Sequence, residues 1–333
     1  MKQVWEIAGV TVPAGEKLQT YIQVEGTKEV MPVTFINGAN EGKTVLMTSG
    51  IHGGEYEGIR AATEIAGELN PAAVYGQLAI IHPCSMQTFL AKQENITPED
   101  GKNLNRVFPP DKNGTLTDKI AWTLWDKFQS KADFHVDLHG CFSDWITPHV
   151  YYTGVAEESV IKVAKAAAEV VSVPYMVKSV ATSGSYNHSG VSGIPGILIE
   201  RGDTNLFSED DIRLYKIDVR NVLRHLGILH SDREPQAIKP IDVCDLTYAE
   251  SNAQGCWYPA VHIDDSFKKG QKLGEVRDFF GNLLDTTYAD FDGIILYMYG
   301  MMPIHKGDFE VCYAKIAEGY FDQLKQEGKQ IAK

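Results

Sequence analysis

The chain has 333 residues, 44% hydrophobic and 23% charged, enough for one large or two smaller globular units and with no sign of a disordered composition. Thirty-one basic against 44 acidic side chains leave a formal charge of −13, which disfavours phosphate backbones and anionic membrane surfaces as partners. Five cysteines form an odd set with no C-x-x-C pair, which argues against a disulfide framework or a thiolate metal site, and no stretch approaches the roughly 18 apolar residues of a membrane helix.

The N-terminal segment lacks the apolar core of a signal peptide, so the expected compartment is the cytoplasm. Short alternating runs at Val10–Val12, Thr20–Val24 and Val33–Ile36, with turn residues between or after them, predict strands. Residues Thr44–Thr48 (TVLMT) form a continuous apolar run, the mark of a strand buried on both faces. A glycine-rich turn follows, and the spacing predicts a helix over 57–69 and a strand over 77–82. The stretch from Asn95 to Pro110 has little apolar periodicity and, at about 16 residues, is long for an idle connection. Helices are expected over 116–130, 157–171 and 209–226, and buried strands over 134–139 and 196–200. Such alternation predicts a largely parallel or mixed sheet with helices on both faces, and in such sheets ligands sit beyond the strand ends. The polar segment Asp232–Pro240 marks a boundary, giving an α/β domain over 1–235 and a β-rich domain over 240–333 punctuated by glycine turns.

The chemically interesting residues fall at those strand ends. His52 and Glu55, three apart on a strand-to-helix turn, can converge on one ion, and the adjacent Gly53 and Gly54 permit tight backbone and room for a metal. A hydrolytic zinc site takes three imidazole or carboxylate ligands and keeps one position open. His139 closes the strand 134–139 and is the candidate third ligand. His135 competes, but residues four apart in a strand lie about 13 Å from one another, so the two do not share an ion. His135 is then a hydrogen-bonded core residue, and Asp137, on the same face as His139, either orients its imidazole or serves a structural role. Zinc would lower the pKa of bound water to about 7, and a carboxylate is needed to move its proton. Glu200 ends the apolar run Ile197-Leu198-Ile199, where a carboxylate is costly unless it faces a cleft or a partner such as Arg201. In the loop, Asn105 and Arg106 provide an amide donor and a guanidinium fork for a substrate carboxylate.

With those residues in view, the chain resembles the succinylglutamate desuccinylase/aspartoacylase family, relatives of the zinc carboxypeptidases. The matching elements are SGIHGGEYEG (49–58), DGKNLNRVFPP (100–110), DLHG (137–140) and GIPGILIERG (193–202), in the family's order. The resemblance implies one zinc ion at His52, Glu55 and His139, substrate-carboxylate contacts from Asn105 and Arg106, and Glu200 as general base. It implies a zinc-carboxypeptidase-like α/β fold, a mixed sheet flanked by helices, followed by a small β-rich domain, and hydrolysis of a small N-acyl amino acid or related amide. The alternatives are a metallocarboxypeptidase acting on short peptides and an inactive binding protein with a vestigial site. One departure stands out: relatives often carry an Arg upstream of the Asn-Arg pair that stabilises the oxyanion, whereas residues 90–97 contain none, leaving Lys92, or the zinc with another group, for that task. The C-terminal region is similar to a lipoyl-like barrel-sandwich without an attachment lysine, a structural unit or a wall of the cleft, and its edge strands offer pairing into a homo-oligomer.

Overall fold

The computed structural model describes residues 4–202 and 208–316. Its main sheet has 13 strands. The part that builds the site runs, in spatial order, Glu16–Gln23, Val30–Asn37, Tyr75–Ile81, Asn40–Ser49, Phe134–His139, Gly196–Glu200, His149–Thr153 and Tyr175–Ser179. The four central members, from Tyr75–Ile81 to Gly196–Glu200, are parallel neighbours. Their carboxyl ends therefore lie along one edge.

The pleat sorts the side chains. Phe134, Val136 and Leu138 join Val45, Met47, Ile197 and Ile199 in one core cluster, against Ala61, Ala62 and Ile65 of the helix Tyr56–Glu68 and Tyr215 and Val219 of the helix Glu209–His225. Leu46, Ala79 and Ile81 point the other way and pack with Ile120 and Leu124 of the helix Leu116–Lys127. Each fully buried aliphatic side chain contributes about 1.5–3 kcal/mol, which secures the registers of the central strands. The same alternation sends His135, Asp137 and His139 to the face opposite Leu138. Burying such polar groups is costly without partners, and His135 finds them: Nε2 lies 2.7 Å from Thr48 Oγ1 and Nδ1 3.0 Å from Ser189 Oγ.

The segment Asp232–Pro240 is irregular and leads into the strand Ile241–Glu250, which pairs in parallel with Tyr175–Ser179, so the main sheet continues past it. The strands Gly293–Met298 and Phe309–Ile316 extend that sheet antiparallel, while Gly255–Pro259, Lys272–Arg277, Leu283–Tyr288 and Pro303–Ile304 form a separate four-stranded antiparallel sheet. Leu273 of the small sheet and Val311 and Tyr313 of the large one share a core cluster, so this β-rich region is a sandwich in its packing.

Three elements had no clear pattern in the sequence. The strands His149–Thr153 and Tyr175–Ser179 lie on the inner part of the sheet, the first buried throughout, so neither alternates cleanly. The helix Ser185–Val191 (SYNHSGV) is built from weak helix formers. Tertiary contact decides it: the Ser185 amide donates to Asn105 Oδ1 at 2.8 Å. Among the described residues no helix is long and apolar enough to cross a membrane.

Candidate metal centre and its cavity

The parallel strands Asn40–Ser49, Phe134–His139 and Gly196–Glu200 are neighbours, and their register pairs Glu200 with His139 and Ser49 with Leu138. His139 and Glu200 thus leave the sheet side by side, and the turn after Ser49 brings His52 and Glu55 over the same edge. Glu55 is the N-cap residue of the helix Tyr56–Glu68, where the helix dipole favours a negative charge. Its carboxylate makes no capping bond and turns to the two histidines instead.

His52, Glu55 and His139 each offer a ligand atom, all within 4.8 Å of one another. His52 Nδ1 lies 2.7 Å from Glu55 Oε1, and His139 Nδ1 lies 3.1 Å from Glu55 Oε2. The far nitrogens are also accounted for. Asn103 Oδ1 lies 3.1 Å from His52 Nε2 and already accepts from the Asn105 amide at 2.8 Å. An amide oxygen only accepts, so the His52 proton sits on Nε2 and the Nδ1 lone pair faces Glu55. His139 Nε2 points at Asp137 Oδ2, 3.3 Å away, and Asp137 Oδ1 is fixed by the Thr48 hydroxyl at 2.6 Å. The Tyr215 hydroxyl holds the carbonyls of His139 and Ile199.

Two nitrogen lone pairs aimed at one carboxylate repel unless a cation lies among them. Burial opposes a proton on His139, but the Glu55 and Asp137 carboxylates outweigh it and push this imidazole up. For Glu55 the charges of His139 and His52 likewise outweigh burial and hold it down. Glu55 Oε2 is buried, and among the described residues its close polar neighbour is His139 Nδ1. This buried, negatively biased trough with a His-Glu-His donor set fits a divalent ion of the zinc type.

Asn103 is a partner of the His52 ring that motif reading passed over, since one Asn among several in a loop carries no distinguishing signal. Asn103→Ala frees the His52 ring to take either tautomer, and divalent-metal affinity should fall about 10–100-fold, read by competition with a chromophoric chelator. An unchanged affinity would remove Asn103 from this role.

Glu200 is 8% exposed and lines a cavity of about 420 Å³ together with His52, Glu55 and His139. Arg201 does not neutralise it, because that guanidinium is committed to Asp218 at 2.7 Å on the far side of the strand's end. Tyr297, from the strand Gly293–Met298, donates to Glu200 Oε1 at 3.0 Å, while Glu200 Oε2 has no hydrogen-bond partner among the described residues. Burial is the main force on this carboxyl and raises its pKa to about 8. Tyr297 also meets His149 Nε2 at 2.9 Å, and His149 Nδ1 is tied to the Thr147 carbonyl at 2.7 Å. Tyr248 and Tyr297 make the β-rich region one wall of the cavity.

Asn105 and Arg106 line the same cavity. The Arg106 guanidinium touches only the Asn105 carbonyl, at 3.2 Å, among the described residues. Lys92 is exposed and lies outside the lining, whereas Glu94 and Asn95 form part of it. Gly53 and Gly54 differ from expectation in purpose. A Cβ on Gly53 would meet the Phe89 amide nitrogen at 2.2 Å, and one on Gly54 the Phe142 ring at 2.6 Å. They admit neighbouring segments of chain rather than opening space for the ion.

A family model described as the succinylglutamate desuccinylase/aspartoacylase catalytic domain matches residues 41–226. The N-alpha-acetyl-L-2,4-diaminobutyric acid deacetylase of Halomonas elongata is 26% identical over 304 residues, which cover 87% of this chain and 86% of the relative. Among solved structures, the product-bound ectoine utilization protein EutE (DoeB) from Ruegeria pomeroyi aligns with a TM-score of 0.81 at 24% identity, covering 90% of this chain and 95% of that one. A succinylglutamate desuccinylase/aspartoacylase from Rhodobacter sphaeroides aligns with a TM-score of 0.80, also at 24% identity, covering 90% and 96%. At these identities the structural likeness is one of fold.

Proposed function

The chain belongs to the succinylglutamate desuccinylase/aspartoacylase family, and on that footing we propose that it is a zinc-dependent deacylase that hydrolyses the amide bond of a small N-acyl amino acid. The observation that carries this reading is one cavity lined by a His-Glu-His donor set, by a buried carboxylate with one oxygen unbonded among the described residues, and by a guanidinium without a carboxylate partner among them. The deacetylase activity in the name of the Halomonas elongata relative supports the same class of reaction.

His52, Glu55 and His139 would hold the ion. When bound, zinc would polarise the acyl carbonyl and make nearby water more acidic. Glu200 Oε1 is fixed by Tyr297, so Oε2 is the oxygen that takes the proton from the attacking water. As the water oxygen bonds to the acyl carbon and the carbon–nitrogen bond breaks, Glu200 returns that proton to the leaving amine. Arg106 and Asn105 grip the substrate carboxylate and fix which bond faces Glu200. A cavity of about 420 Å³ suits a compact substrate better than a peptide.

The test is a screen of zinc-loaded protein against N-acetyl and N-succinyl amino acids beside dipeptides, following release of free amine. Faster turnover of the acyl compounds is expected. Preferential cleavage of dipeptides would instead favour a carboxypeptidase, and stoichiometric zinc without any turnover would favour a binding protein.

A further inference from the structure

We propose that His149 is a positioning residue for the hydrolysis and acts on Glu200 through Tyr297. The imidazole and the carboxylate compete for the single hydroxyl hydrogen of Tyr297, and the hydroxyl turns to His149 once Glu200 has taken up the proton of the attacking water. The proposal rests on the deacylase reading and adds to it a residue outside the four matching segments and outside the lining of the cavity.

The hydrogen count carries it. His149 is fully buried in the strand His149–Thr153, and its Nδ1 lies 2.7 Å from the Thr147 carbonyl. A carbonyl oxygen only accepts, so Nδ1 carries the hydrogen of the neutral ring and Nε2 presents a lone pair. Burial is the main force on this imidazole and holds it neutral, lowering its pKa to about 4. Nε2 faces the Tyr297 hydroxyl at 2.9 Å, its partner among the described residues. The same hydroxyl lies 3.0 Å from Glu200 Oε1, and a carboxylate also only accepts. One hydrogen thus serves two acceptors. Whichever it leaves is a buried acceptor without a donor, which is costly.

The charge on Glu200 settles the competition. An ionised carboxylate is the stronger acceptor and holds the hydrogen. With a proton on Oε2, Oε1 becomes a neutral carbonyl, a weaker acceptor than the imidazole nitrogen, and the hydroxyl rotates to Nε2. No proton leaves Tyr297, and no heavy atom needs to move. Without His149, Tyr297 would stabilise the anion alone and oppose proton uptake by Glu200. Edge-on contacts with the rings of Tyr151 and Tyr297, at centroid separations of 4.9 and 4.8 Å, keep the imidazole in the plane this exchange requires.

The test is a double-mutant cycle on the zinc-loaded enzyme with an N-acetyl amino acid. His149→Leu should lower kcat about 3–30-fold, the range of one buried hydrogen bond, at unchanged KM and zinc content. In a Tyr297→Phe background the same substitution should have no further effect. Lost packing, or the lost bond to Thr147, would act in both backgrounds. An equal loss in each, or no loss in the first, therefore overturns the proposal. His149→Gln, whose oxygen can still accept from Tyr297, should recover most of the rate, and a loss as large as that of the Leu variant counts against the role. Nitrogen NMR of protein labelled with 15N-histidine reads the contact without turnover. The His149 hydrogen should reside on Nδ1. Glu200→Ala, which removes the competing acceptor, should move the Nε2 resonance toward that of a hydrogen-bonded nitrogen, and adding Tyr297→Phe should reverse the move. A hydrogen on Nε2, or an Nε2 resonance indifferent to Glu200, overturns the proposal even where the Leu variant does not fold. If no N-acyl compound is cleaved, the deacylase reading fails while the NMR result still decides the competition for Tyr297.

Discussion

Glu200→Gln should yield a folded protein with its full complement of zinc and a kcat lower by about 10²–10⁴-fold, the usual contribution of a positioned general base. The amide fills the same volume and still accepts from Tyr297 through its oxygen, so the hydrogen bond at 3.0 Å survives while the proton acceptor is lost. The pH profile separates this from a structural effect. A base works only when ionised, so the rate of the unaltered enzyme should rise with pH as Glu200 loses its proton. Burial raises that carboxyl to about 8, and a cation at the three ligands draws it down, placing the limb below that value. The Gln variant should lack this limb. Near-normal turnover, or an unchanged acid limb, would remove Glu200 from the reaction.

His139→Ala should reduce zinc from one ion per chain to almost none and bring turnover to background, with elemental analysis and the acyl-substrate assay as readouts. It should also destabilise the fold by about 3–5 kcal/mol, because the Glu55 and Asp137 carboxylates are left buried without their partner. His135→Ala provides the contrast. That ring is bonded to Thr48 and Ser189 and stands apart from the three ligand atoms. Its loss should cost about 1–3 kcal/mol of stability through unsatisfied hydroxyls while zinc is retained. Zinc binding that survives His139→Ala and fails in His135→Ala would reverse the assignment of the two histidines. A chelator should abolish activity reversibly, with recovery on adding zinc back.

Much of this was readable in the chain. The sequence announced buried strands over 44–48, 134–139 and 196–200 with chemistry at or just after their ends, and those strands are parallel neighbours. Period two placed Asp137 with His139 and against Leu138, because side-chain direction in a strand is set by parity alone. The helices Tyr56–Glu68, Glu158–Ala168 and Glu209–His225 followed from their apolar spacing. Local interactions decide such features, so a local reading finds them.

The tertiary structure decided the rest. Asn103 serves His52 from 51 residues away, and Tyr297 reaches Glu200 across 97 residues. The Ser143 hydroxyl meets Glu94 across 49 residues of chain. None of these partners has a distinctive spacing, since the distance between two side chains across the fold depends on strand order and loop path, which hydrophobic periodicity does not encode. Sequence determined which groups stand at the ends of the central strands. The order of those strands, and the walls that later segments place around them, determined which groups meet, which charges stay unpaired, and hence what the cavity can hold.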